Sequence, residues 1–382
     1  MIVNNGCIQL LVVQPTPFCN ISCKYCYLSN RSSKDRMSIQ TINLIGSEIL
    51  SKGWCAKNVT IIWHAGEPTV ISPSWYHDAF EILQNYCPPD VRLTHSFQSN
   101  GILLSDQWID LLKKWDVRLG ISIDGPKELH DVNRLTRDGK GTWESTISAI
   151  RMLKNAQIPF HVITVLTKES LTNAQVLFDF YLSEKIDHVC FNIEEIEGIN
   201  LHSSLETEQI TTIFSQFLNN FLQYSKKERY PIWIREFSYG LATILQTGTS
   251  VLPNQQATPL EIVSVDVNGN LSTFSPELLG SPSKQYGNFI FSSLRDGGIP
   301  AILDSEFFRA VHSDIELGVK KCEESCEWFR WCGGGAPANK LFENGSFVST
   351  ETLYCRLTKK TVLETLLLAI ENNILPEMMK IR

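Results

Sequence analysis

Positive charge is scarce in this chain. Only 34 Lys and Arg stand against 41 Asp and Glu, a formal net charge of −7 with a pI near 5.7. A groove that follows a phosphate backbone needs the opposite surplus, so nucleic acid is not an expected partner. Long apolar runs are missing too: nothing approaches the roughly 18 uninterrupted apolar residues of a membrane helix. The opening MIVNNGCIQLLVVQP has no basic leader before its short apolar run and no small-residue cleavage site, which argues against a secretory signal. There is no internal repeat and no low-complexity tract. A composition of 43% apolar and 20% charged residues excludes extended disorder. What remains is a soluble, cytoplasmic globular protein without membrane or nucleic-acid partners. At 382 residues it is expected to form a large domain plus a smaller one, or an elaborated barrel.

Cysteine, by contrast, is plentiful. Eleven are present, in a chain with no mark of export, where disulfides rarely persist. Cys19, Cys23 and Cys26 form one group and Cys322, Cys326, Cys332 and Cys355 another. Groups near both ends point to metal. Cys7, Cys55, Cys87 and Cys190 are scattered and read as small buried hydrophobes.

Apolar runs at 8–14, 59–63, 93–97, 119–123, 160–166 and 189–193 read as strands, with helical patterns between them. Ile42, Ile45 and Ile49 follow Ser38, a candidate N-cap, and Trp108, Leu111, Leu112 and Trp115 follow Ser105. Six βα units in series imply parallel strands joined by right-handed crossovers. Six is fewer than the eight that close a barrel, so the expected fold is α/β, a partial, TIM-like (β/α)6 barrel over 1–203. Residues 204–254 read as a helical bridge, with Ile213, Phe217 and Phe221 on one stripe. The Gly-, Pro- and Thr-rich stretch 248–259 reads as a linker. A hairpin over 262–274, turning at Asn268-Gly269, opens a loop-rich unit over 255–360 that holds the second cysteine group. A helix over 361–372 begins the last segment, 361–382.

Directly after the first strand comes Cys19-Asn-Ile-Ser-Cys23-Lys-Tyr25-Cys26. Three thiolates at CxxxCxxC spacing can wrap one corner of a cubane cluster and leave the fourth iron without a protein ligand. Zinc is the plainer alternative, but no further His or Cys follows before Cys55. This spacing, with Tyr25 just before the last cysteine, resembles the radical S-adenosylmethionine superfamily. The resemblance implies a [4Fe–4S] cluster on Cys19, Cys23 and Cys26 whose open iron chelates S-adenosylmethionine, releasing a 5′-deoxyadenosyl radical. Later strand ends carry further matches. His64-Ala65-Gly66-Glu67-Pro68 resembles the family's GGEP, where the backbone meets the methionine amino group, with Ala65 in place of the first glycine. Gln98-Ser99-Asn100-Gly101 resembles Q-T-N-G. Ser122-Ile123-Asp124-Gly125-Pro126 with His130, Asp131 and Arg134 resembles SxDGP…HDxxR. The resemblance implies that Ser122 and Arg134 hold the methionine carboxylate and that Asp124 lies near the ribose.

Cys322-Glu-Glu-Ser-Cys326 and Cys332-Gly333-Gly334-Gly335-Ala336-Pro337, followed by Cys355, resemble the SPASM extension of radical peptide maturases. Four thiolates can close a cluster completely, and a four-cysteine zinc site stays open as the alternative. A full SPASM unit holds two auxiliary clusters, whereas here no cysteine flanks the hairpin and Ala336 occupies a ligand place. One auxiliary [4Fe–4S] cluster is therefore expected. Ser272 to Leu279 and the run from Cys332 to Lys340 resemble enzymes that make three-residue cyclophane (triceptide) crosslinks in glycine-rich precursors. That resemblance implies a ribosomal precursor peptide as substrate, an electron donor such as a flavodoxin or ferredoxin, and a bond from a Cβ to an aromatic ring carbon. The proton lost on rearomatisation needs a base, for which Glu277, Glu194 and Glu195 are the candidates. Other peptide modifications (thioether formation, epimerisation, formylglycine formation) remain as alternatives. Precursor binding is expected to use the main body, by adding a strand to an exposed edge of the open sheet.

Overall fold

Each of the six apolar runs forms a strand. In the computed structural model, which describes residues 6–228, 232–246 and 250–375, twelve strands occur among the described residues. They are β1 (Ile8–Val13), β2 (Ile21–Cys23), β3 (Cys55–Trp63), β4 (Arg92–Ser99), β5 (Arg118–Ser122), β6 (Arg134–Thr136), β7 (Phe160–Leu166), β8 (His188–Ile193), β9 (Trp233–Ile234), β10 (Ile262–Val265), β11 (Asn270–Thr273) and β12 (Ser292–Ser293). Ten of them build one sheet in the order β12-β11-β10-β1-β3-β4-β5-β7-β8-β9, while β2 pairs with β6. From β10 to β9 every pairing is parallel. The fold is thus the expected α/β class. Along β3, β4 and β7 fully buried residues alternate with partly buried ones, so one face is packed more tightly than the other.

The sheet is longer than the six strands legible in the sequence. Val165 and its neighbours on β7 pair with β8, and β8 then pairs with the two-residue β9. At the other end β10 pairs with β1, and β11 and β12 follow antiparallel. Both edges of the six-strand core are therefore covered. Among the described residues, strand addition there, expected from an open sheet, has only the two-residue β9 and β12 to pair with. The hairpin turn falls where Asn268-Gly269 marks it: Asp266 accepts from Asn268 N and Asn270 N at 2.8 and 2.9 Å, and Gly269 takes φ 87°.

The strand ends lie in register. Val13 is opposite Trp63, Trp63 opposite Phe97, and Phe97 opposite Leu119. The loops that follow these strands consequently open at one level, the C-terminal edge where α/β sheets build their sites. An aromatic layer fixes that edge from behind: Trp63 meets Tyr76 edge-on at 5.2 Å, and Phe80 stacks on His95 at 3.9 Å. Ser38 caps Ile39–Ile45 by accepting from Thr41 N, as its position suggests, and Ile42, Ile45 and Ile49 are fully buried. The helical bridge resolves into Ile210–Lys227 and Arg235–Leu245, against both of which the last described helix, Val362–Glu371, packs. The expected linker begins on 248 and 249, which lie outside the described residues. No described helix is long and apolar enough to cross a membrane.

Candidate active site

The first cysteine loop is held by its backbone. β2 pairs antiparallel with β6, placing Cys23 opposite Arg134. Arg137 donates to the carbonyls of Cys19 (2.8 Å) and Arg31 and lies 4.9 Å over the Phe18 ring. Arg31 donates to the Cys23 carbonyl at 3.2 Å. The two arginines escaped sequence reading, because backbone clamps leave no motif. Cys19, Cys23 and Cys26 line one cavity together with Gly66, Gln98, Asn100, Ser122 and Arg134. Burial pushes the Cys19 thiol up to about 12 and the Cys23 thiol to about 11, so a positively charged metal centre is what would hold them as thiolates.

After β3 the chain turns through two left-handed residues, Ala65 (φ 68°) and Gly66 (φ 59°). A Cβ at Gly66 would come within 2.5 Å of both the Thr16 and the Phe18 carbonyl oxygens. Gly66 is needed for close approach as well as for φ, whereas Ala65 bears only the cost of its φ. Gly66→Ala is expected to destabilise by about 2 kcal/mol or more and Ala65→Gly by nothing, as read by urea unfolding. The buried Glu67 carboxylate ties strand ends together. Its Oε1 accepts from Thr69 N (3.0 Å), Thr69 Oγ1 (2.5 Å) and Ser99 Oγ (2.8 Å), and its Oε2 from Asn100 N (2.7 Å). Gln98 donates to Ser122 Oγ at 2.8 Å, and Asn100 to Asn20 at 2.7 Å, bridging back to the cysteine loop.

Arg134 and Asp124 form a two-point pair, Nε to Oδ2 at 3.0 Å and Nη2 to Oδ1 at 3.1 Å. The Asp124 carboxylate also accepts from the Tyr25 hydroxyl and from Val165 N. His130 orients this loop. Its Nδ1 accepts from Asp124 N (3.3 Å), while Thr142 Oγ1, which donates to the Arg134 carbonyl, accepts from its Nε2 (2.9 Å). That tautomer is neutral, and burial lowers the imidazole to about 4. Asp131 caps the helix Trp143–Asn155, accepting from Thr142 N and Trp143 N. His95, with Nδ1 accepting from Trp63 Nε1 at 3.3 Å, is lowered to about 3 by burial. Both imidazoles bind fewer protons folded than unfolded. Their stabilisation is full above about pH 6.5 and is lost progressively as pH falls toward those values. Melting temperature is expected to fall between pH 7.5 and 5, and His95→Phe is expected to flatten that slope.

The three expected carboxylates do not share one environment. Glu194 accepts from Ser204 N at 2.7 Å and from the Ser204 hydroxyl, closing a turn. Glu195 accepts from Asn339 at 2.8 Å, and burial raises it to about 8. The Glu277 Oε2 is buried without a partner. A fourth, Glu197, unsuspected from sequence, is 7% exposed and raised well above the usual carboxylate range by burial. All four line the cysteine cavity.

The second cysteine group also converges. Cys322, Cys326, Cys332 and Cys355 line a smaller cavity with Lys340 and Lys360. Gly333, Gly334 and Gly335 are all left-handed there, so the chain bends around the space. Lys340 is only 3% exposed, and its ammonium donates to the Gly318 carbonyl (2.8 Å) and Cys322 Sγ (3.2 Å). Nearby Glu351 is engaged by Lys360 and Arg356. A buried ammonium facing thiols fits an anionic four-thiolate centre, whose charge it would balance. Among the described residues no three His, Cys, Asp or Glu are placed to hold a single metal ion.

Residues 13–180 match the model of the Radical SAM superfamily, and the chain belongs to that family. Membership implies S-adenosylmethionine and a [4Fe–4S] cluster, and the cavity lined by Cys19, Cys23 and Cys26 offers the thiols for it. Uncharacterized protein sll1766 of Synechocystis is 39% identical over 377 residues, 98% of this chain and 94% of that one. The cysteine-type anaerobic sulfatase-maturating enzyme of Clostridium perfringens is 24% identical over 86% of this chain and 88% of its own. The fold is shared with native anSMEcpe solved with bound AdoMet and Cp18Cys peptide, at a TM-score of 0.77 and 20% identity over 96% of this chain and 98% of that one. It is also shared with Streptococcus suis SuiB bound to precursor peptide SuiA, at 0.62 and 16% over 91% and 76%.

Proposed function

We propose that this protein is a peptide maturase that removes a Cβ hydrogen from a ribosomally made precursor and joins that carbon to an aromatic ring, closing a three-residue cyclophane. One observation carries the reading: the cysteine loop and the carboxylates Glu195, Glu197 and Glu277 face the same cavity, so radical initiation and proton removal can occur on one bound residue. A cluster on Cys19, Cys23 and Cys26 with bound S-adenosylmethionine supplies one-electron cleavage and a 5′-deoxyadenosyl radical. The backbone at Ala65 and Gly66 is offered to the methionine amino group, where Oε2 of Glu67 keeps acceptor capacity. Gln98, Asn100 and Ser122 present polar groups beside it, and the Asp124–Arg134 pair supplies charge for the ribose and the carboxylate. Tyr25 holds Asp124 in place. Glu277 and Glu195 are the better bases, since Glu194 is engaged by Ser204. Cys322, Cys326, Cys332 and Cys355 would hold the auxiliary [4Fe–4S] cluster, which would take the electron released when the ring rearomatises, with Lys340 as counter-charge.

Two relatives support a peptide substrate, since each was solved with a peptide bound. The likeness to a sulfatase-maturating enzyme favours a second reading, formylglycine formation. Co-expression with the small open reading frames beside the gene separates them. Loss of two hydrogens per site, with unchanged free thiols, no hydrazide-reactive aldehyde and suppressed fragmentation across a three-residue aromatic segment, is the expected result. An aldehyde product would replace the cyclophane reading with the second.

A further inference from the structure

Beyond the cysteine cavity lies a second one, and the two share a wall made of Asn192, Glu195, Glu197 and Glu277. The three carboxylates reach it from two segments. Glu195 and Glu197 follow β8, and Glu277 lies in the turn Pro276–Leu278 after β11. The wall is built rigidly. Glu197 and Asn200 exchange both backbone hydrogen bonds, at 3.0 and 2.8 Å, and Ile199 N donates to the carbonyl of Tyr27. A Cβ at Gly198 would lie 2.3 Å from that same carbonyl.

The charges on this wall do not balance. Arg235, which lines the second cavity, gives its guanidinium to Glu236, the Phe191 carbonyl and Asn192 Oδ1. No lysine or arginine of the described residues forms an ion pair with Glu195, Glu197 or Glu277. Glu195 has only the Asn339 amide, Glu197 is 7% exposed with no side-chain partner, and the Glu277 Oε2 is buried and unpaired. Burial holds all three carboxyls above their usual range, so they take up protons until a cation arrives. Buried carboxylates without counter-ions are costly to keep unless a ligand brings the missing charge.

We infer that the wall between the two cavities is a cation subsite, which receives a lysine or arginine side chain of the substrate peptide while a neighbouring residue of that peptide lies at the cysteine cavity. This rests on the peptide-maturase reading and narrows it to substrates with a basic residue near the modified one. The peptide is favoured over the cationic cofactor as the source of charge because the same carboxylates also line the second cavity, which contains none of the cysteines.

The test measures binding without turnover, so it stands whether or not a crosslink is ever formed. Two acetylated, amidated glycine-rich heptapeptides carrying one tryptophan, and differing only in lysine against norleucine, are titrated into anaerobically reconstituted protein with S-adenosylmethionine. The lysine peptide is expected to bind at least tenfold more tightly, and Glu197→Gln and Glu195→Gln are each expected to erase that preference. Glutamine keeps the shape of either side chain and an oxygen that can still accept from Asn339, so the melting temperatures of both variants should not fall. In parallel, agmatine is expected to raise the melting temperature of the wild type and not of Glu197→Gln. Equal binding of the two peptides overturns the proposal, as does a preference that survives both substitutions. Glu197→Gln weakening S-adenosylmethionine binding alone would assign the wall to the cofactor and also overturn it. Failure of both peptides together with no agmatine shift counts equally against it.

Discussion

Replacing Cys19, Cys23 and Cys26 together by alanine abolishes formation of 5′-deoxyadenosine from S-adenosylmethionine under reducing conditions, while iron held through the other four cysteines remains. The expectation follows from the separation of the two groups. The first lines a cavity with Gly66, Gln98, Asn100 and Ser122, and the second lines another with Lys340 and Lys360. Nothing else in the first cavity offers thiolate ligands, and a carboxylate or hydroxyl does not replace one in an iron–sulfur cluster. Iron content should fall by about half on the view that each group holds a cluster of equal nuclearity. Deoxyadenosine formation that survives the triple substitution would remove the open-cluster assignment. Loss of all iron would place the two groups in one centre.

The second large effect is on stability. Arg134→Met is expected to cost about 3–5 kcal/mol in urea unfolding, the usual result of breaking a buried pair by removing one partner. Arg134 is 6% exposed and Asp124 2%, and the two share two hydrogen bonds. Methionine leaves the Asp124 carboxylate with only the Tyr25 hydroxyl and Val165 N. Lysine keeps the charge but not the fork, so Arg134→Lys should recover part of the loss. The pair also joins β6 to the loop after β5, and β6 holds the cysteine strand β2. The methionine variant should therefore retain less iron at the first site. A loss below about 1 kcal/mol would show the pair to be dispensable.

Much of the barrel and of the site was legible because strands impose a short period and their C-terminal ends a fixed place. The six runs from Ile8 to Ile193 each carry apolar residues that the sheet buries, with polar residues such as Gln98, Ser122 and Asn192 on the side that lines the cavity. It was the resemblance of the turns after them to family motifs that named Ala65, Gly66, Gln98, Asn100, Ser122 and Asp124. The cavity lining holds all of these but Asp124, which lies just beneath, paired to Arg134. Cysteine spacing was equally readable, since a cluster binds through a local run. What stayed hidden were contacts between distant segments. β9 is two residues long, and β10 pairs with β1 across some 250 positions, a choice that local propensity does not encode.

The sequence by itself determined the chemistry: three thiols after the first strand, four more near the end, and a parallel α/β frame to hold them. Those features are set by residue type and local spacing, so they survive without knowledge of the rest of the chain. Only the tertiary structure decided which groups face one another. It engaged Glu194 with Ser204, left Glu197 buried without a partner, and set Lys340 against Cys322. A carboxylate or an ammonium has the same sequence signature in solvent as in a cavity. Its cost, and hence its meaning, depends on what the fold places within about 4 Å of it.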